Sequence, residues 1–113
     1  MGQAVLRVEG LPGGTLDAAE AFYEAWMPQA RAACRTQDTA IVFPSAPYDH
    51  RGWRVAAMQD LAREAAPRRV NGVTGDDNEA IAATLHWLAS AAGVTGQLLA
   101  VDRAVDGNSA ENG

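Results

Sequence analysis

Short apolar runs alternate along this chain with longer stretches of helical periodicity, and that alternation leaves few ways to close a core. Residues 4–8 (Ala-Val-Leu-Arg-Val) read as a strand, ended by the turn chemistry of Gly10, Pro12, Gly13 and Gly14. Residues 39–43 (Thr-Ala-Ile-Val-Phe) read as a second, stopped by Pro44 and Pro47. Residues 68–73 and 96–101 supply a third and a fourth. Strands separated by helices pair in parallel, because parallel neighbours need a crossover of a dozen or more residues. The expected fold class is therefore α/β, with four parallel strands alternating with three helices.

Each helix carries its own signals. Thr15 can cap the first, Asp17 suits the positive end of its dipole, and Phe22, Trp26, Ala30 and Ala33 keep helical spacing to about Cys34. Pro28 inside it removes a backbone donor and predicts a kink. The second helix covers 53–66, with Ala57, Met58, Leu61 and Ala65 on one face and Pro67 as its stop. The third starts at Asp76, with Glu79 completing a variant capping box, and buries Ile81, Leu85, Leu88 and Ala92 before Gly93 ends it. No repeat or second domain is visible. The expected organisation is a domain over 1–102 and a flexible tail over 103–113, where residues 107–113 have the composition of a frayed end.

Composition narrows the function classes. A chain of 113 residues with 48% hydrophobic content builds one core. A net charge of −5 argues against nucleic acid and anionic membrane surfaces as partners. All positive side chains are arginine, and with no lysine Schiff-base chemistry is excluded. Cys34 is the only cysteine, so no internal disulfide can form, and a cytoplasmic location is expected. No run approaches the ~18 apolar residues of a membrane span, and the N-terminus lacks the regions of a signal peptide.

The last third carries a more specific signal. Arg69-Val70-Asn71-Gly72-Val73-Thr74-Gly75, then Trp87-Leu88-Ala89-Ser90, then Val94-Thr95-Gly96-Gln97-Leu98-Leu99-Ala100-Val101-Asp102 resemble the R-V-N-x-V-x-P-G, F-L-A-S and V-T-G-Q-x-L-x-V-D-G-G segments of the short-chain dehydrogenase/reductase family. These are tyrosine-dependent, NAD(P)-binding Rossmann-fold oxidoreductases. The resemblance covers roughly residues 4–102 and the family's C-terminal half, and implies a truncated, Rossmann-like three-layer domain. It also implies a left-handed final crossover, placing the third helix on the face opposite the first two. The general handedness rule predicts the reverse.

What the family needs for catalysis is only partly present. Its tyrosine acid/base is followed four residues later by a lysine, and a serine lies at the end of the preceding strand. Here Tyr48 is followed at that interval by Gly52, with Arg51 three residues on, and Ser45 stands before Ala46. Arg51 could share a face with the phenol, but arginine is not a conservative replacement for lysine. Ser45, Tyr48 and Arg51 are thus weak catalytic candidates, and ordinary loop residues are the simpler reading of Ser45 and Tyr48. Arg7-Val8-Glu9-Gly10 stands where the family has N-N-A-G, and Glu9 would repel a pyrophosphate. Asn71, Thr74 and Gly75 match a loop that borders the nicotinamide and are weak cofactor-binding candidates. The simpler reading gives Asn71 backbone groups to satisfy and Gly75 a bend. No cofactor is expected, since the adenosine half of the family's site has no counterpart; NAD(P) belongs only to an alternative in which activity survives.

No metal site is expected from His50 and His86, which lack companion ligands. His86 reads as solvent-facing or locally hydrogen-bonded, and Cys34 as a small buried residue. The resemblance implies that the first two helices pack against another subunit, with Phe22, Trp26 and Trp53 as interface candidates. The leading expectation is a non-catalytic protein acting through self-association, as a homodimer, or through association with a full-length short-chain dehydrogenase. The alternatives are a residual NAD(P)-dependent oxidoreductase and a small-ligand binding module in the crevice at the strand C-termini.

Overall fold

A computed structural model describes residues 2–101. Asp102 and the tail expected over 103–113 lie outside the described residues. Strands β1 (Gln3–Arg7), β2 (Asp38–Phe43), β3 (Val70–Thr74) and β4 (Leu98–Ala100) form one sheet in the order β1-β2-β3-β4. All three pairings are parallel, with Leu6 opposite Ile41, Val42 opposite Val73, and Val73 opposite Leu99. The sheet, with helices on both faces, has the Rossmann-like α/β arrangement expected.

Helix α1 spans residues 15–34, in an α-helical part Thr15–Ala21, a π-helical turn Phe22–Trp26 and a second α-helical part Met27–Cys34. The π turn lies just ahead of Pro28, whose ring would clash with the carbonyl four residues back in a regular helix. Gln29 Nε2 donates to the carbonyl of Ala25 at 2.9 Å, giving a partner to an acceptor in the altered turn. The break predicted from Pro28 thus takes the form of a widened turn. Thr15 is not the cap: Gly14 holds that position, and the Thr15 hydroxyl donates to Asp49 at 3.4 Å.

Helix α2 is Arg51–Ala65, preceded by a 3-10 turn Tyr48–His50. Helix α3 is Asn78–Ser90, capped by Asp77, whose carboxylate accepts from the N–H groups of Glu79 and Ala80. Asp76, the expected cap, instead accepts from the backbone of Ser45 at 3.1 Å. The helix ends before Ala92, which is exposed rather than part of the buried stripe. No described helix is long and apolar enough to cross a membrane.

The two faces of the sheet bury different helices. Phe22, Ala30 and Cys34 of α1 and Ala57, Met58 and Leu61 of α2 pack with Ile41, Phe43 and Val70. On the other face Ile81 and Leu88 of α3 pack with Val42 and Val73. The third crossover, advancing in the same direction along the sheet but over the opposite face, therefore has the opposite hand to the first two. This is what the resemblance implied and the general rule did not. β2 is central, and from Thr39 to Phe43 every residue is buried, as a continuous apolar run in a parallel sheet requires.

Polar groups fix the strand starts and the last loop. Asp38 accepts from the backbone N–H and the guanidinium of Arg69 at 2.8 Å each, and the same guanidinium donates to the carbonyls of Leu88, Ala89 and Ala91 at the end of α3. A cation there satisfies orphan carbonyls and suits the helix dipole. Asn71 donates to the carbonyl of Val94 and accepts from the N–H of Gln97, and the Thr95 hydroxyl accepts from the N–H of Val70. Those bonds hold the α3–β4 loop against the start of β3, while Gly96 takes a φ of 75° that favours glycine.

Candidate functional site

Just beyond the C-terminal ends of β2, β3 and β4 lies a cavity of about 240 Å³. Ala46, Pro47, Leu98 and Ala100 give it apolar walls, while Tyr48, His50, Arg51, Arg54 and Thr74 bring polar groups. A second cavity, about 160 Å³, lies on the other side of the 44–47 segment, under Leu11 and Pro12, and shares Arg54 and His50 as lining. Open parallel sheets bind ligands at this end.

Arg54 dominates the geometry. It is only 3% exposed, although it is a cation on the apolar face of α2. Its guanidinium lies 4.7 Å from the ring centroid of Phe43 and 5.5 Å from that of Trp53, a stacked cation–π arrangement. Phe43, Trp53 and Phe22 form one aromatic cluster, with centroids 5.4 to 5.9 Å apart. Nη1 donates to the carbonyl of Pro44 at 2.9 Å, whereas Nε is buried and has no partner among the described residues. Among the described residues no carboxylate pairs with this guanidinium. Burial pulls its pKa below the ordinary arginine value, and guanidinium stays charged regardless.

His50 is buried beside it. Its Nε2 lies 3.0 Å from the carbonyl of Gly13, and its Nδ1 accepts from Trp53 Nε1 at 3.3 Å. A carbonyl can only accept and an indole N–H can only donate, so these partners together select the tautomer with the proton on Nε2. The histidine ties the turn before α1 to the start of α2, and both ring nitrogens are engaged in doing so.

The sequence-expected residues separate into two groups. Tyr48, Arg51 and Thr74 converge on the larger cavity. Tyr48 is 83% exposed on the 3-10 turn and makes no side-chain hydrogen bond among the described residues; Arg51 is exposed at the first position of α2. The Thr74 hydroxyl, at the end of β3, is buried and has no partner among the described residues. Ser45 lines the smaller cavity instead, beyond Pro44. Asn71 and Gly75 are not among the residues that line either cavity. Asn71 is 2% exposed, and its side chain donates to the carbonyl of Val94 and accepts from the N–H of Gln97. Gly75 is buried where a Cβ would run into the backbone oxygen of Val101, so its role is close packing. Phe22 is 0% exposed and buried in the chain's own core. Trp26 and Trp53 are half-buried against that core, and the exposed apolar groups of α1 are Leu16 and Tyr23.

Arg54 and His50 were not expected here. The signal for Arg54 was present, because it shares the helical stripe of Ala57, Met58 and Leu61, where a charge is out of place. His50 had only its spacing of three residues from Trp53 to mark it. His86, by contrast, is exposed as read, and Cys34 is buried, which pushes its thiol pKa up.

A protein-family model described as a short chain dehydrogenase-like protein matches residues 6–101 of the chain. No curated protein shows significant similarity to it.

Proposed function

The chain belongs to the short chain dehydrogenase-like family, and from that premise we propose that it is a non-catalytic member that works by association. The observation that carries the first half is the setting of Tyr48. In the chemistry that the family resemblance implies, the tyrosine acid/base works with a lysine on the same helical face that presents positive charge to the phenol. Tyr48 stands exposed on a turn ahead of α2, and Gly52 occupies the place where the family resemblance calls for lysine. Arg51 lies at the exposed start of the helix.

The described residues also fit a nicotinamide dinucleotide poorly. The 240 Å³ cavity is below the ~300–1,000 Å³ typical of clefts for drug-sized ligands, and a dinucleotide is larger still. Asn71 is engaged with backbone groups, Gly75 is packed under Val101, and Glu9 stands exposed just beyond β1. No step through the cofactor follows from such residues.

Association is supported by the outer surface of α1 and α2. Leu16 is 85% and Tyr23 42% exposed on α1, and Trp26 and Trp53 are partly exposed. Two copies meeting through this surface would cover these groups, and a full-length dehydrogenase presenting the same helix pair is the other partner the reading allows. Light scattering at ten micromolar is expected to give twice the 11.9 kDa chain mass; monomers with no captured dehydrogenase would end the association reading. Oxidation of NADH or NADPH by the purified chain with any carbonyl compound would end the non-catalytic one.

A further inference from the structure

We propose that the free edge of β1 pairs with the same edge of a second copy of this chain, antiparallel about Val5, joining two four-stranded sheets into one. The contact is separate from the outer surface of α1 and α2, so it stands or falls independently of association through those helices.

Pairing with β2 fixes where the backbone groups of β1 point. The N–H of Val8 donates to the carbonyl of Val42 at 2.8 Å, and along a strand the backbone groups of successive residues point to opposite sides. Ala4 and Leu6 therefore face β2 with Val8, and the N–H and C=O groups of Gln3, Val5 and Arg7 face away from the sheet. No described residue pairs with them. Natural proteins blunt such edges with short strands, proline or charge. The opposite edge is blunted in this way, since β4 has only three residues. β1 has five, Gln-Ala-Val-Leu-Arg, with no proline and its one charge at the last position. Val5, at the centre of the strand, is 45% exposed.

A second copy fits this edge residue by residue. With a two-fold axis at Val5, Val5 meets Val5 of the other copy, and Gln3 meets Arg7 in both directions. Every one of these residues has outward-facing backbone groups, and each pair exchanges two bonds, about six in all. The side chains agree. Leu6 and Val8 pack with the core under α1 and α2, so Gln3, Val5 and Arg7 lie on the α3 face. There Gln3 Nε2 donates to the carbonyl of Leu85 at 3.1 Å, which orients the amide and leaves Oε1 without a described donor. Opposite it the register brings a guanidinium, a donor-only group, and Arg7 has no described ion pair. The two half-exposed valines cover each other. An antiparallel copy centred on Arg7, or a parallel copy in register, would instead set two guanidiniums side by side, and like charges directly opposite are unfavourable.

A contact this small is weak, with a Kd on the order of 100 µM. Solvent exchange of the backbone amides, measured by NMR on the isotopically labelled full chain at about 50 µM and about 2 mM, reads it directly. The Val5 amide is expected to exchange roughly four-fold more slowly at the higher concentration, while Ala4 and Leu6, already bonded to β2, are unchanged. Over the same range the mass by light scattering is expected to rise about two-fold or more. Val5→Lys sets like charges on the axis and is expected to abolish the rise with the circular dichroism spectrum unchanged. Val5→Pro, which removes an N–H that the chain's own sheet does not use, is expected to do the same. Val5 exchange that is independent of concentration, or a rise in mass that survives both variants, would overturn the self-pairing and leave the edge to a strand of another protein. Helix association is read separately, from the mass at about ten micromolar, below the range in which the edge contact forms.

Discussion

Replacing Arg69 with methionine removes one guanidinium that ties three parts of the fold together. Arg69 donates to Asp38 through Nε and Nη2, at 3.2 and 2.8 Å, and to the carbonyls of Leu88, Ala91 and Ala89 at 2.9, 2.6 and 3.2 Å. Its side chain is 17% exposed and that of Asp38 31%, so the pair sits between a surface bridge and a buried one. Surface bridges contribute about 0.2–1 kcal/mol, while removing one partner of a buried pair costs about 3–5 kcal/mol. The intermediate burial, together with three helix carbonyls left without their donor, places Arg69→Met at about 2–4 kcal/mol. For a domain of this size that lowers Tm by roughly 10–20 °C. Arg63→Met is the matched control: Arg63 pairs with Asp60 at 71% and 61% exposure, and its loss should stay within about 0.5 kcal/mol. Thermal and urea unfolding of both variants at pH 7, followed by circular dichroism, decide the matter. Equal midpoints for Arg69→Met and Arg63→Met would refute the reasoning, because burial would then add nothing to the worth of a guanidinium.

Four further outcomes follow from the same structure. The backbone N–H of Arg69, and then its guanidinium, hold the Asp38 carboxyl below the usual aspartate range, against the opposing effect of burial. Its stabilisation is therefore complete above pH ~4 and disappears as pH falls through the depressed value. Asp38→Asn should flatten that acid limb in a stability–pH series; an unchanged limb would assign it to other carboxylates. Gly75→Ala drives a methyl into the backbone of Val101 and should cost about 1–3 kcal/mol, whereas Gly93→Ala meets nothing within 4 Å; urea midpoints that coincide would contradict this. Asp77→Ala removes the cap of α3 and should cost about 1 kcal/mol by the same assay. Cys34 is 5% exposed and burial raises its thiol pKa, so a thiol-reactive chromogen should modify it at least about 100-fold more slowly in the native chain than in denaturant; equal rates would show the site to be open.

The parts of the fold that could be read from sequence are those where local pattern and tertiary demand agree. The run Thr39–Phe43 is apolar because both faces of β2 are covered, and the stripe Ala57, Met58 and Leu61 is apolar because α2 lies on the sheet. Boundaries were less legible where two similar residues competed for one role. Asp76 and Asp77 are both good caps, and only the reach of Asp76 to the Ser45 backbone decides between them. Pro28 announced a disruption but not its form, since a π turn depends on what the widened helix packs against. The site was least legible. Motif matching singled out Asn71 and Gly75, which serve packing and loop closure, while Arg54 lay in the middle of an apolar stripe. Its importance comes from Phe43 and Pro44, which the fold brings to it from the end of β2, and from its own neighbour Trp53.

Since every strand pairs with its neighbour in the chain, the molecule can assemble in the order in which it is synthesised, each βα unit docking on the edge left by the one before. Such a path asks each docking step to close only one crossover at a time. It also grades the finished protein along its length. The three-residue β4, added last and flanked by the loop that Asn71 and Thr95 hold to β3, is the strand expected to open first, and it carries one wall of the strand-end cavity with it when it does.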